Sequence, residues 1–116
     1  MKNCLNPLTI IPLTLLVVTL FTITVAQAAI EGGDANNGKI VAKEKCKHCH
    51  VAGAEGGTMT PLSKTQRQWE RFYVKDKHNR LAPGAWDQIK PNELIDIMQF
   101  MYDHAADSPQ PETCGQ

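Results

Sequence analysis

The pentapeptide Cys46-Lys47-His48-Cys49-His50 constrains this chain more than any other stretch. It sets two thiols three residues apart and an imidazole directly behind the second. On a helical turn, residues i and i+3 share a face, so both thiols project to one side and His50 is carried just past them. Few chemistries need that arrangement. A thiol–disulfide exchange centre places its C-x-x-C in a βαβ context, and nothing beyond residue 28 reads as a strand. A structural zinc site wants four Cys or His ligands, usually as two spaced pairs. Here the second pair would have to be gathered from the scattered His78, His104 and Cys114. A plain disulfide between Cys46 and Cys49 leaves His50 without a purpose. C-x-x-C-H is the attachment signature of a c-type haem, and it predicts both thiols joined to the vinyl groups on one porphyrin edge with His50 under the ring, its imidazole toward the iron.

The rest of the chain has room for such a group. Residues 1–28 start with Met1 and Lys2, run without charge from Leu8 to Val25, and end in Ala26-Gln27-Ala28. That is the layout of a secretory signal peptide cleaved after Ala28, and it predicts a periplasmic or otherwise exported protein. A retained membrane anchor is the competing reading, because the uncharged run is 18 residues and about 20 span a bilayer. Pro12 and the repeated threonines weaken it. Cys4 leaves with the peptide. Of the 88 residues that remain, only 16 are Ile, Leu, Val, Met or Phe. A domain that small and that poor in large apolar side chains needs a staple or a guest to complete its interior. With 12 basic and 12 acidic residues overall, the chain also lacks the basic footprint of a nucleic-acid binder.

The pattern predicts an all-α domain over residues 29–106, with three main helices and two long loops. Asp34 is a fitting N-cap for a helix through Gly38, Ile40, Val41 and Ala42 to about Cys46. Ser63-Lys64-Thr65-Gln66 spells a capping box opening a second helix, with Trp69, Phe72 and Tyr73 on one face and an end near Lys77. Pro91 suits the first turn of a third helix, in which Leu94, Ile97, Met98 and Met101 form an apolar stripe. The glycine-rich stretch 51–61 and residues 78–89 are predicted loops, and loops of that length in a small domain need something to wrap. Residues 107–116 read as a flexible tail.

Residues 34–104 resemble a small class I c-type cytochrome. The likeness is carried by Asp34-Ala35-Asn36-Asn37-Gly38-Lys39 leading into Cys46-Lys47-His48-Cys49-His50, of which the second part is the specific one. The resemblance implies a cytochrome c-like fold wrapping one haem c, bound through Cys46 and Cys49 with His50 as the proximal iron ligand. It implies that Gly38 meets an aromatic residue of the last helix, Phe100 or Tyr102. It implies that the carbonyl of Pro61, in Thr60-Pro61-Leu62, accepts the Nδ1–H of His50, although the glycine that precedes this proline in the family is missing. Trp86 is the expected donor to a haem propionate, with simple packing as its alternative, and Arg80 is a second propionate candidate, with a solvated loop arginine as its alternative.

The family pattern breaks at the sixth ligand. A methionine is implied in the loop before the last helix, and Arg80 to Ile89 contains none. His78 stands at the start of the loop that should cover the distal face and is the best-placed replacement; as an alternative it is an exposed loop histidine. Met59, nine residues past His50, comes second, and an open or water-bound iron third. Met98 and Met101 belong to the apolar stripe, and His104 suits the end of its helix.

These readings point to an exported single-haem carrier that passes one electron between redox proteins. Lys39, Lys43, Lys45 and Lys47 lie near the attachment motif and can steer an acidic partner, with a solvated helix face as the alternative for any single one. No nucleophile–base pair, phosphate loop or paired carboxylate site marks an enzyme. Two alternatives remain open: a gas-binding or sensing haem with a free sixth position, and a haem subunit of a larger oxidoreductase. Cys114 has no evident partner within the chain.

Overall fold

The computed structural model describes residues 30–113, which form four α-helices and no strand. The expected signal segment 1–28, its cleavage position and Cys114 lie outside the described residues. The first helix, α1, spans Ala35–Lys45. Asp34 caps it from an extended conformation, its carboxylate accepting the N–H groups of Asn36 at 2.9 Å and Asn37 at 3.3 Å, which satisfies donors that a helix start leaves unpaired. The chain then tightens into a 3₁₀ turn at Cys46–His48, and the N–H groups of Cys49 and His50 both donate to the Cys46 carbonyl, at 3.1 and 2.9 Å.

A second 3₁₀ turn at Pro61–Ser63 leads to α2, Gln66–Val74. Its capping box is Thr65 with Gln68, two residues later than expected: Gln68 N–H donates to Thr65 Oγ1 at 3.3 Å, and Thr65 N–H to Gln68 Oε1 at 2.9 Å. Ser63 is occupied instead with Thr60, whose N–H it accepts at 3.0 Å. The predicted loop at 78–89 opens with a short helix, α3, over Lys77–Leu81, so the domain has four helices rather than three. Asp76 precedes it in the left-handed region (φ 44°) and turns the chain back on α2. The last helix, α4, spans Pro91–Asp103, with Pro91 in its first turn as expected.

The core lies where α1 crosses α4 and α2 closes over them. Val41, Ala42, Trp69, Ile97, Phe100, Met101 and Ala105 are buried. The approach of α1 to α4 is set by Gly38, which meets main chain rather than the expected Phe100 or Tyr102. A β-carbon there would collide with the Asp96 carbonyl and crowd the Ile97 nitrogen. Asp96 pins the crossing by accepting Asp34 N–H at 2.8 Å and Asn37 Nδ2 at 2.7 Å. The Asn37 bond, then that of Asp34, holds its carboxyl below the usual carboxylate range.

Within the expected flexible tail, bonds to the body of the domain run as far as Glu112. Asp107 Oδ1 accepts Gln66 N–H at 2.7 Å, serving the start of α2, and Ala106 N–H donates to the Lys64 carbonyl at 3.1 Å. Glu112 pairs with Lys39 at 2.7 Å. The polar side chains that suggested a loose tail are the ones that tie it down. No helix among the described residues is long and apolar enough to cross a membrane.

Candidate cofactor site around the cysteine pair

The thiols of Cys46 and Cys49 are both free, Cys46 half-buried and Cys49 exposed. Burial first, then the neighbouring Cys49, pushes the Cys46 thiol up to about 11. A thiol–disulfide exchange centre needs the opposite shift, toward thiolate. A four-ligand zinc site fares no better, because among the described residues no three Cys, His, Asp or Glu side chains converge as a metal cluster.

The His50 ring is held by the loop that follows it. Its Nδ1 lies 3.0 Å from the carbonyl oxygen of Gly56, and Gly56 N–H donates back to the Cys49 carbonyl at 2.9 Å. A carbonyl only accepts, so Nδ1 is the donor, and in the neutral ring this leaves the lone pair on Nε2. Such a bond is what orients a metal-ligating histidine and raises its donor strength. The expected acceptor was Pro61. The Pro61 carbonyl is instead taken by the buried indole of Trp69, Nε1 to O at 2.8 Å. Gly56 fits because it has no side chain: a β-carbon would lie 2.7 Å from both Cε1 and Nδ1 of His50. Gly56→Ala should therefore displace the ring and cost about 1–3 kcal/mol, the usual scale of overpacking. Denaturant titration of that variant beside Gly53→Ala, where a β-carbon meets nothing within 4 Å, separates crowding from the cost of the positive φ at Gly53.

Across from His50 stands His78 of α3. The ring centres are 5.9 Å apart and the planes inclined by 67°. A first-row metal shared by two imidazoles, at about 2.0–2.1 Å to each nitrogen, separates ring centres by roughly 6 Å. His78 Nδ1 is buried with no hydrogen-bond partner, an uncommon state for a polar atom that has no ligand to meet. Burial first, then the nearby His50, holds the His78 imidazole below its ordinary range and favours the neutral form that donates to a metal. Two imidazoles at this separation, free thiols beside one of them and aromatic side chains around the other are compatible with an iron porphyrin.

Trp86 builds the support for His78. The rings lie 4.2 Å apart and tilted by 33°, and Trp86 packs in turn on Tyr73 at 6.5 Å. Phe72 meets His78 edge-on at 6.2 Å. The indole N–H of Trp86 donates to Asp76 Oδ1 at 3.1 Å, so the expected propionate donor is engaged with the residue that turns the chain into α3. Met59 lines a half-open cleft of about 250 Å³ with Cys46, His50, Pro61, Phe100 and Met101. His78 is not among the residues lining that cleft. Two of the four lysines expected to steer a partner are engaged internally, Lys39 with Glu112 and Lys45 with Glu93 at 2.8 Å. Lys43 and Lys47 remain exposed.

The pairing of Gly56 with His50 and the Trp86–His78 stack carry no sequence signal of their own. Residues 51–61 hold three glycines, at 53, 56 and 57, and nothing in the spelling says which one must yield space to an imidazole. Comparison of the chain with family models, with curated proteins and with solved structures gives no match.

Proposed function

We propose that the protein is an exported single-haem c-type cytochrome that carries one electron between redox proteins. The carrying observation is the pair of imidazoles, His50 fixed by Gly56 and His78 with an unpartnered buried nitrogen, their centres 5.9 Å apart. Bound here, the haem would supply a reversible ferric–ferrous couple. Cys46 and Cys49 would hold it covalently, and His50 and His78 would bind its iron. Phe72, Tyr73 and Trp86 would limit water on the His78 side. No substrate is transformed and no proton need move, so the protein's task is to keep both ligands in place through each change of charge. Rigid tethering of His50 and the stacking of His78 serve that task. Export is proposed from residues 1–28 alone.

Absorption and resonance Raman spectra of the exported protein in both redox states test the assignment. Two imidazoles should give a low-spin six-coordinate iron without the red-edge charge-transfer band of thioether ligation, and a potential below that of a His/Met pair. His78→Ala should open the sixth position, admit carbon monoxide and shift the potential by on the order of 100 mV, since axial ligation sets haem potentials over a wide range. Met59→Leu should leave the spectrum alone. A thioether band in the wild type that His78→Ala preserves and Met59→Leu abolishes would transfer the role to Met59. Carbon monoxide binding to the untreated ferrous protein would favour gas sensing instead.

A further inference from the structure

Val74 and Leu81 are 78 and 80% exposed, well beyond any other exposed large apolar side chain of the described residues, the next being Ile40 at 56%. Each is the last residue of its helix, Val74 of α2 and Leu81 of α3. Arg71 lies one helical turn before Val74 and Lys77 one turn before Leu81, so each shares its neighbour's face. Lys75 and Arg80 adjoin them in sequence. Residues 64–81 hold six basic and two acidic residues, whereas residues 91–113 hold five acidic residues and no Lys or Arg. The near-neutral protein is therefore strongly polarised. Among the described residues, Arg71, Lys75, Lys77 and Arg80 make no ion pair, in contrast to Lys39 and Lys45 of α1. Of the two acids, Asp76 already accepts the indole N–H of Trp86.

We propose that the outer face of the α2–α3 hairpin is the docking surface for a redox protein with an acidic patch, seated on Val74 and Leu81. Apolar side chains inside a charged rim are the make-up of a transient protein interface, and unpaired like charges raise the encounter rate with a partner of opposite sign. The place also suits the task. His78 is one turn from Leu81 on the same helix, so a partner on this face approaches the iron from the side of the proposed distal ligand. The inference rests on the electron-carrier reading and moves the encounter from the lysines of α1 to those of the hairpin.

The test uses the exported full-length protein and poly-L-glutamate as the acidic probe. Amide NMR shifts on adding the polymer should concentrate in residues 71–81 and vanish at high salt. In stopped-flow mixing of the ferrous protein with hexacyanoferrate(III), K75E/K77E/R80E should slow oxidation about tenfold at low ionic strength, within the range of electrostatic steering, while K43E/K47E should not. Shifts centred on Lys43 and Lys47, or slowing by K43E/K47E alone, would overturn the proposal. So would equal-part phosphatidylglycerol–phosphatidylcholine vesicles that bind through residues 71–81 while poly-L-glutamate does not, since the face would then be a membrane contact. Hairpin shifts in a protein that carries no haem would leave the acidic-partner surface standing and sink the electron-carrier reading instead.

Discussion

Replacing Cys46 and Cys49 together by alanine is expected to give an exported protein whose mass under denaturing conditions equals that of the bare chain. The wild type is expected to be heavier by one whole haem. Each thioether forms by adding S–H across a vinyl double bond, so no atom is lost and the increment is the full mass of the group. Stability should fall with it. The described core consists of Val41, Ala42, Trp69, Ile97, Phe100, Met101 and Ala105, and a domain of this size gains few kcal/mol from so short a roster. A covalently held apolar disc against those residues would contribute burial that no other part of the described core supplies. Its loss should remove on the order of 5 kcal/mol, comparable with the entire stability of many small domains. Residual haem held by His50 and His78 alone should be extractable with acidic acetone. An unaltered wild-type mass, or a double variant as stable as the wild type, would end the cytochrome reading.

Most of the architecture was legible where one local rule has one solution. Asp34 and Pro91 mark the starts of α1 and α4 because a side-chain oxygen and a missing N–H each suit a single place in a helix. Where two spellings compete, sequence alone cannot rank them. Ser63-Lys64-Thr65-Gln66 and Thr65-Gln66-Arg67-Gln68 both spell a capping box, and the second wins because Ser63 already serves the turn begun at Thr60. Helix α3 has five residues and no apolar period. Its placement depends on Trp86 and Phe72 closing around His78, contacts made across the chain. His78 itself could be singled out beforehand because the loop from Arg80 to Ile89 lacks a methionine. The acceptor for His50 could not, since Gly56 and Pro61 both lie within reach along the chain and only the tertiary fit of Trp69 decides which carbonyl is free.

Gly38→Ala should damage the fold more than any other single-methyl addition in the helices. In an isolated helix the change would help, because alanine gains about 1 kcal/mol over glycine in a helix interior. Here the new methyl would meet the main chain of Asp96 and Ile97. Side chains can rotate away from a clash, but a helix backbone cannot without moving the helix. Separating α1 from α4 would strain the bonds from Asp34 and Asn37 to Asp96, at 2.8 and 2.7 Å, and loosen Val41 and Ala42 against Ile97 and Phe100. Overpacking of this kind costs about 1–3 kcal/mol and occasionally more. With contact to main chain the loss should stand at the upper end, about 2–3 kcal/mol after the propensity gain. In a domain this small that lowers the midpoint of thermal unfolding by about 10 °C or more. Asn36→Ala, at an exposed position of the same helix, supplies the comparison and should change the midpoint little. Because α1 leads directly into the turn that carries Cys46 and His50, Gly38→Ala should also reduce the fraction of exported protein that acquires haem. A Gly38→Ala protein as stable as Asn36→Ala would mean that the helices do not approach this closely, and the link from the crossing to the cofactor site would fail with it.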